Sequence, residues 1–91
     1  MKQYTYWAGI RFYIESRNYE IYFPEFDITT IEPFFVEDEK DIRPKAEEAL
    51  RKGIQKIIES DDLDFPVHQT SFPVDINFTY NEKAINITVT V

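Results

Sequence analysis

The segment Ile42 to Ser60, IRPKAEEALRKGIQKIIES, is the only stretch of the chain long and periodic enough to demand a helix. On a wheel of about 3.6 residues per turn, Ile42, Ala46, Ala49, Leu50, Gly53, Ile54 and Ile57 share one arc of roughly 140°. Lys45, Glu48, Lys52, Gln55, Lys56 and Glu59 occupy the other side, so one face requires burial and the other is at home in water. A stripe of that width needs a sheet to lie on. Asp41 stands where a side chain can cap the first free N–H groups, and Pro44 falls in the first turn, where its missing N–H does no harm. Glu47 with Arg51, and Glu48 with Lys52, are spaced for ion pairs along the outer face. Gly53 is the anomaly. In mid-helix it costs about 1 kcal/mol relative to Ala, and its place inside the apolar arc predicts close approach by a strand or an aromatic ring.

The rest of the chain reads as strand and turn. Tyr4, Tyr6, Ala8, Ile10, Phe12 and Ile14 alternate with Thr5, Trp7, Gly9, Arg11 and Tyr13, which is the period of a strand. Glu15-Ser16-Arg17-Asn18 forms a polar turn, and Tyr19, Ile21 and Phe23 then alternate with Glu20 and Tyr22 until Pro24 ends the run. Phe26 to Ile31, closed by Glu32-Pro33, is the expected third strand. The acidic run Glu37-Asp38-Glu39-Lys40-Asp41 leads into the helix, whose dipole it complements. After the helix, Asp61 to Pro73 reads as a loop containing His68, and the tail as a second hairpin. Its strands are Val74, Ile76, Phe78 and Tyr80, then Ile85, Ile87, Val89 and Val91, with Asn81-Glu82-Lys83 between them. The expected architecture is one α+β domain over residues 1–91, in the order β-β-β-α-β-β. An antiparallel sheet of about four or five strands carries one long helix on one face.

Charge and composition narrow the function classes. The net charge is −7 and the chain has no cysteine, which removes thiolate metal sites, thiol nucleophiles and disulfides and disfavours contact with nucleic-acid phosphates. A basic protein is the more natural partner, although acidity also simply keeps a small domain in solution. There is no apolar run of membrane-spanning length and no signal-peptide pattern at the start, so a cytoplasmic location is expected. Aromatic residues make up 16% of the chain, and large rings are therefore expected to fill the core. If the Tyr4 and Tyr19 parities face the helix, Trp7, Tyr13 and Tyr22 project to the opposite side. There they either form a self-association or partner surface or are covered by a loop.

The strand ending Tyr22-Phe23-Pro24-Glu25-Phe26, followed by Asp41 and the helical core Glu47-Glu48-Ala49-Leu50, resembles the HicB antitoxin family over roughly Tyr6 to Ser60. That family commonly has a Pro-Gly turn after the acidic-apolar pair and a Gly-Asp-Thr helix start. Here Asp27-Ile28 and a longer acidic stretch from Pro33 to Asp41 take their place. The resemblance implies a partial RNase H-like fold without catalysis that masks a small basic ribonuclease toxin. Members of that family commonly continue into a segment that binds operator DNA; no such segment is read in these residues, so DNA binding is not expected of them.

Carboxylates are the only candidates for catalysis. Glu25, Asp27, Asp41, Asp61, Asp62, Asp64 and Asp75 offer oxygen ligands for a hard cation, but their spacing matches no metal loop, and Asp61-Asp62-Leu63-Asp64 lacks the glycine and distal glutamate of an EF-hand. His68 has no nucleophile beside it in sequence, and Ser16, Ser60 and Ser71 stand in no nucleophile-elbow pattern. The expectation is a non-enzyme with no metal and no cofactor. Its partner-binding residues are taken to be Glu25, Asp27, Glu37, Asp38 and Glu39, with Phe26 and Phe35 as apolar anchors. A self-associating module using Trp7, Tyr13 and Tyr22, with no toxin partner, is the alternative. A third class, an RNase H-like enzyme, requires acids converging on an ion.

Overall fold

In the structure, a computed structural model that describes residues 1–60, 65–73 and 81–91, four strands form one antiparallel sheet with a single long helix on one face. The strands are β1 (Gln3–Tyr13), β2 (Asn18–Tyr22), β3 (Phe34–Val36) and β4 (Glu82–Thr90), arranged β3-β2-β1-β4, and the helix α1 is Ile42–Glu59. The α+β class and the order β-β-β-α-β hold for these residues. The proposed strand from Val74 to Tyr80 lies outside the described residues.

Register follows the alternation in the sequence. Ile10 pairs with Ile21, Phe12 with Tyr19, Tyr6 with Ile87 and Tyr19 with Val36. One face of the sheet thus carries Tyr6, Ala8, Ile10, Ile21, Phe23, Val36, Ile87 and Val89, all buried. Against it lies the stripe of α1, in which Ile42, Ala46, Leu50, Gly53 and Ile54 are buried. Leu50, Ile54, Ile21 and Ile87 are the largest fully enclosed side chains and mark the centre of the core. Burying one such aliphatic side chain is worth about 1.5–3 kcal/mol, so the helix is held by its stripe rather than by intrinsic helicity.

Three local expectations are corrected. The third strand is not Phe26–Ile31 but Phe34–Val36. Phe26 to Ile31 folds instead as successive turns, with Phe26 N–H donating to Phe23 O (3.1 Å), Thr30 N–H to Asp27 O (2.9 Å) and Ile31 N–H to Asp27 O (3.1 Å). The reason is that Phe26 and Ile31 both reach the core, which a coiled segment achieves at that spacing and a single strand face does not. Asp41 is not the side-chain cap. A 3-10 turn, Glu39–Asp41, runs directly into α1, so the cap moves back to Asp38, whose carboxylate accepts from Lys40 N–H at 3.2 Å. The outer face does carry the expected pair of Glu48 with Lys52 at 3.1 Å, and Lys52 holds the Glu48 carboxyl below its ordinary range.

Gly53 is closely approached, but by neither a strand nor a ring. A Cβ placed there would lie 2.5 Å from Ile31 Cγ1 and 2.6 Å from Ile31 Cδ1, so the turn segment seats its isoleucine directly on the bare helix backbone. Gly53→Ala therefore sets a helix-propensity gain of about 1 kcal/mol against overpacking of about 1–3 kcal/mol. Chemical denaturation should show Gly53→Ala destabilising in the native background and stabilising once Ile31→Ala has cleared the space. The same sign in both backgrounds would refute the contact.

Candidate functional site

The sheet surface opposite α1 is where sequence left most alternatives open. β1 pairs with β4 from Gln3 to Arg11 but with β2 only from Gly9 to Tyr13, because Pro24 turns the chain away just past Tyr22. Beyond that point β1 needs other partners. Trp7 N–H donates at 2.6 Å to Glu25 Oε1, so a side-chain carboxylate stands where the next residues of β2 would have been. Glu25 Oε2 accepts from Gln69 N–H at 2.6 Å, and His68 Nδ1 lies 3.1 Å from the same oxygen. The Glu25 side chain is only 2% exposed. An ionised carboxylate tolerates such burial only when its oxygens are engaged by donors, as they are here.

This arrangement brings residues 65–73 across the side of β1, from the α1 face at Phe65 and Pro66 to the opposite surface at Gln69 and Phe72. Trp7 Nε1–H donates to Gln69 O at 2.9 Å, the Tyr6 hydroxyl donates to Pro66 O at 2.7 Å, and the Phe72 ring lies 5.9 Å from Trp7 and 6.2 Å from Tyr22. Trp7, Tyr13 and Tyr22 do share the face opposite the helix, but Trp7 and Tyr22 are half-buried beneath this segment. Of the expected self-association trio, only Tyr13 is exposed, with its ring 6.0 Å from the equally exposed Phe35. Next to them Arg11 pairs with the buried Glu82 and, at 3.3 Å, with Glu20, while its guanidinium stands 5.4 Å over the Tyr22 ring. Tyr22 lies flat because its cross-strand neighbour Gly9 has no Cβ: one placed there would meet Tyr22 Cε1 at 2.5 Å.

The expected partner-binding residues divide into two groups. Glu25 faces inward as described, and Phe26 is a core residue, 8% exposed and stacked edge-on against Tyr6 at 4.6 Å. Both side chains therefore face the interior and not the outer surface. Asp27 is exposed beside them, with its carbonyl engaged in the turn. Glu37, Asp38 and Glu39, by contrast, are exposed and gathered. The β1–β2 hairpin carries Phe12 and Ile14 beyond the buried core, with Tyr19 packed at the core's margin, and the acidic residues leave β3 alongside them. Together with Arg17 they line an open concavity of about 630 Å³. Phe12 and Tyr19 form its floor with ring centres 4.9 Å apart, and Ile14 is 68% exposed. Phe35, 55% exposed, projects on the other side of the sheet.

Among the described residues no group of three or more His, Cys, Asp or Glu side chains is placed to hold a metal ion. Asp61, Asp62, Asp64 and Asp75 lie outside those residues, and Asp41 sits at the helix start, away from Glu25. No described helix is long and apolar enough to cross a membrane. Sequence reasoning had not singled out Phe12, Ile14 or Tyr19. Their signal was the continuation of the core-face alternation beyond the length the helix can cover. No family model, curated protein or solved structure matches the chain.

Burial, followed by the nearby Glu25 charge, pushes the Tyr6 hydroxyl above its ordinary pKa of 10.0. A raised folded-state value means that this contribution to stability is complete below about pH 10 and is lost as pH rises through the folded-state value. Tyr6→Phe should lower stability at pH 7 by about 1 kcal/mol, through loss of the Pro66 hydrogen bond, and make the alkaline decline shallower. Denaturant midpoints from pH 7 to 11 check both, and an equally steep decline in the variant would contradict the assignment.

Proposed function

We propose that this protein is a non-catalytic, cytoplasmic inhibitory module of the HicB-like type, whose partner is a small basic ribonuclease. The observation that carries the reading is the concavity at the hairpin end, where the exposed acids Glu37, Asp38 and Glu39 stand beside Phe12, Ile14 and Tyr19. An apolar floor with a charged rim is the usual anatomy of a protein interface. The sign of the rim selects a Lys- and Arg-rich partner, and rim charges act mainly by steering association. The segment from Tyr22 to Phe26 and the Glu47-Glu48-Ala49-Leu50 helix add family resemblance to this argument.

Self-association is the second reading, and the exposed Tyr13 and Phe35 rings near the β3 edge favour it. Sedimentation of the protein with Tyr13→Ser and Phe35→Ser addresses that surface alone.

The main reading is tested by coexpression with the product of an adjoining reading frame, affinity capture and an RNA-cleavage assay. Capture of a basic ribonuclease and suppression of its activity are expected. In the triple variant Glu37→Lys, Asp38→Lys, Glu39→Lys, association should slow and affinity fall by about tenfold or more, with weaker salt dependence. Undiminished inhibition by that variant would overturn the assignment of the surface.

A further inference from the structure

Residues 65–73 lie beside the half of β1 that β2 leaves without a strand. Among the described residues no backbone-to-backbone hydrogen bond joins this segment to β1. Its attachment runs through side chains: Tyr6 to Pro66 O, Trp7 Nε1 to Gln69 O, and Glu25, which takes Trp7 N–H on one oxygen and Gln69 N–H on the other. Most of the segment is exposed, Val67 at 80%. Phe65 packs on Tyr4 with ring centres 5.1 Å apart and Phe72 lies against Trp7, but no residue of the segment is fully buried, so it opens at a lower free energy than the core beneath it. Among the described residues the enclosed charged group bridging it to the sheet is the Glu25 carboxylate, with His68 alongside at 3.1 Å.

We propose that residues 65–73 form a releasable strap, and that Glu25 is its latch. In the closed state the strap covers the Trp7 and Tyr22 rings and stands against the free side of β1. In the open state it uncovers that side of Gln3–Trp7, an edge of the kind that accepts an extended peptide by strand addition. The sheet and α1 persist through the change because the strap supplies none of the fully enclosed core residues Ile21, Leu50, Ile54 and Ile87. Bridging by one carboxylate explains how a segment without a ladder holds its place, and why a glutamate next to Pro24 is buried at all.

The latch is tested by amide hydrogen exchange and Trp7 fluorescence in Glu25→Gln. The amide side chain keeps the shape but turns an N–H donor toward one of the two backbone donors. Exchange at Gln69 should rise at least about tenfold, and Trp7 emission should shift to longer wavelength. The Leu50 and Ile54 amides should keep their native protection. Trp7→Phe, which removes the indole donor to Gln69 O and trims the ring that meets His68 and Phe72, should also speed exchange at Gln69 and leaves the carboxylate intact. Unchanged exchange at Gln69 in both variants would overturn the latch. A rise at Leu50 and Ile54 in step with Gln69 would overturn it as well, because Glu25 would then support the whole fold and not a separable strap.

Discussion

β1 is eleven residues long and β2 five, and this mismatch governs one whole side of the molecule. Pro24 cannot donate to a ladder, so β2 ends and the chain turns inward. The backbone of β1 continues regardless, with an N–H at Trp7 that must find an acceptor away from β2. Glu25 supplies it, and in doing so becomes a buried charge that draws Gln69 and His68 to its other oxygen. The same turn carries Phe26 and Ile31 into the core, and Ile31 then takes the space that Gly53 leaves on the helix. A single proline thus fixes the position of a carboxylate, a strap and a helix contact.

On the other side the governing quantity is length. The stripe on α1 covers the sheet from Ile42 to Ile54, while the β1–β2 hairpin projects beyond it. Phe12 and Ile14 on the overhang keep the core parity but lie outside the core, while Tyr19 packs at its margin. The chain leaving β3 passes beside them with its acidic residues outward. The surface offered to a partner is therefore a by-product of how far the hairpin outruns the helix, sharpened by the charge placed next to it.

Much of this was legible in the sequence, and what was not has physical causes. The helix stripe and both faces of the first hairpin follow from periods that extend over many residues. Three-residue β3 is too short to show alternation, whereas Phe26–Ile31 has the composition of a strand and the spacing of a turn. Asp41 had the residue type and position of a cap, but the 3-10 turn before the helix moved that role to Asp38. Gly53 announced a close contact without naming Ile31, since nothing local to the helix encodes what lies across from it. Glu25 looked like a surface acid. Its burial depends on Gln69, 44 residues away, and such long-range satisfaction of a charge leaves no local pattern. Glu37, Asp38 and Glu39 are exposed, and the one backbone donor that engages them, Lys40 N–H on the Asp38 carboxylate, belongs to the surface turn that starts the helix.

The dependence of the strap face on one carboxylate can be observed directly by measuring the scalar coupling across the hydrogen bond from the Trp7 amide nitrogen to the Glu25 carboxyl carbon. A resolved coupling between those two nuclei is expected, with the Trp7 amide proton shifted downfield by its short hydrogen bond of 2.6 Å. A Trp7 amide coupled to a backbone carbonyl instead, or showing no coupling to the Glu25 carboxyl, would contradict the account.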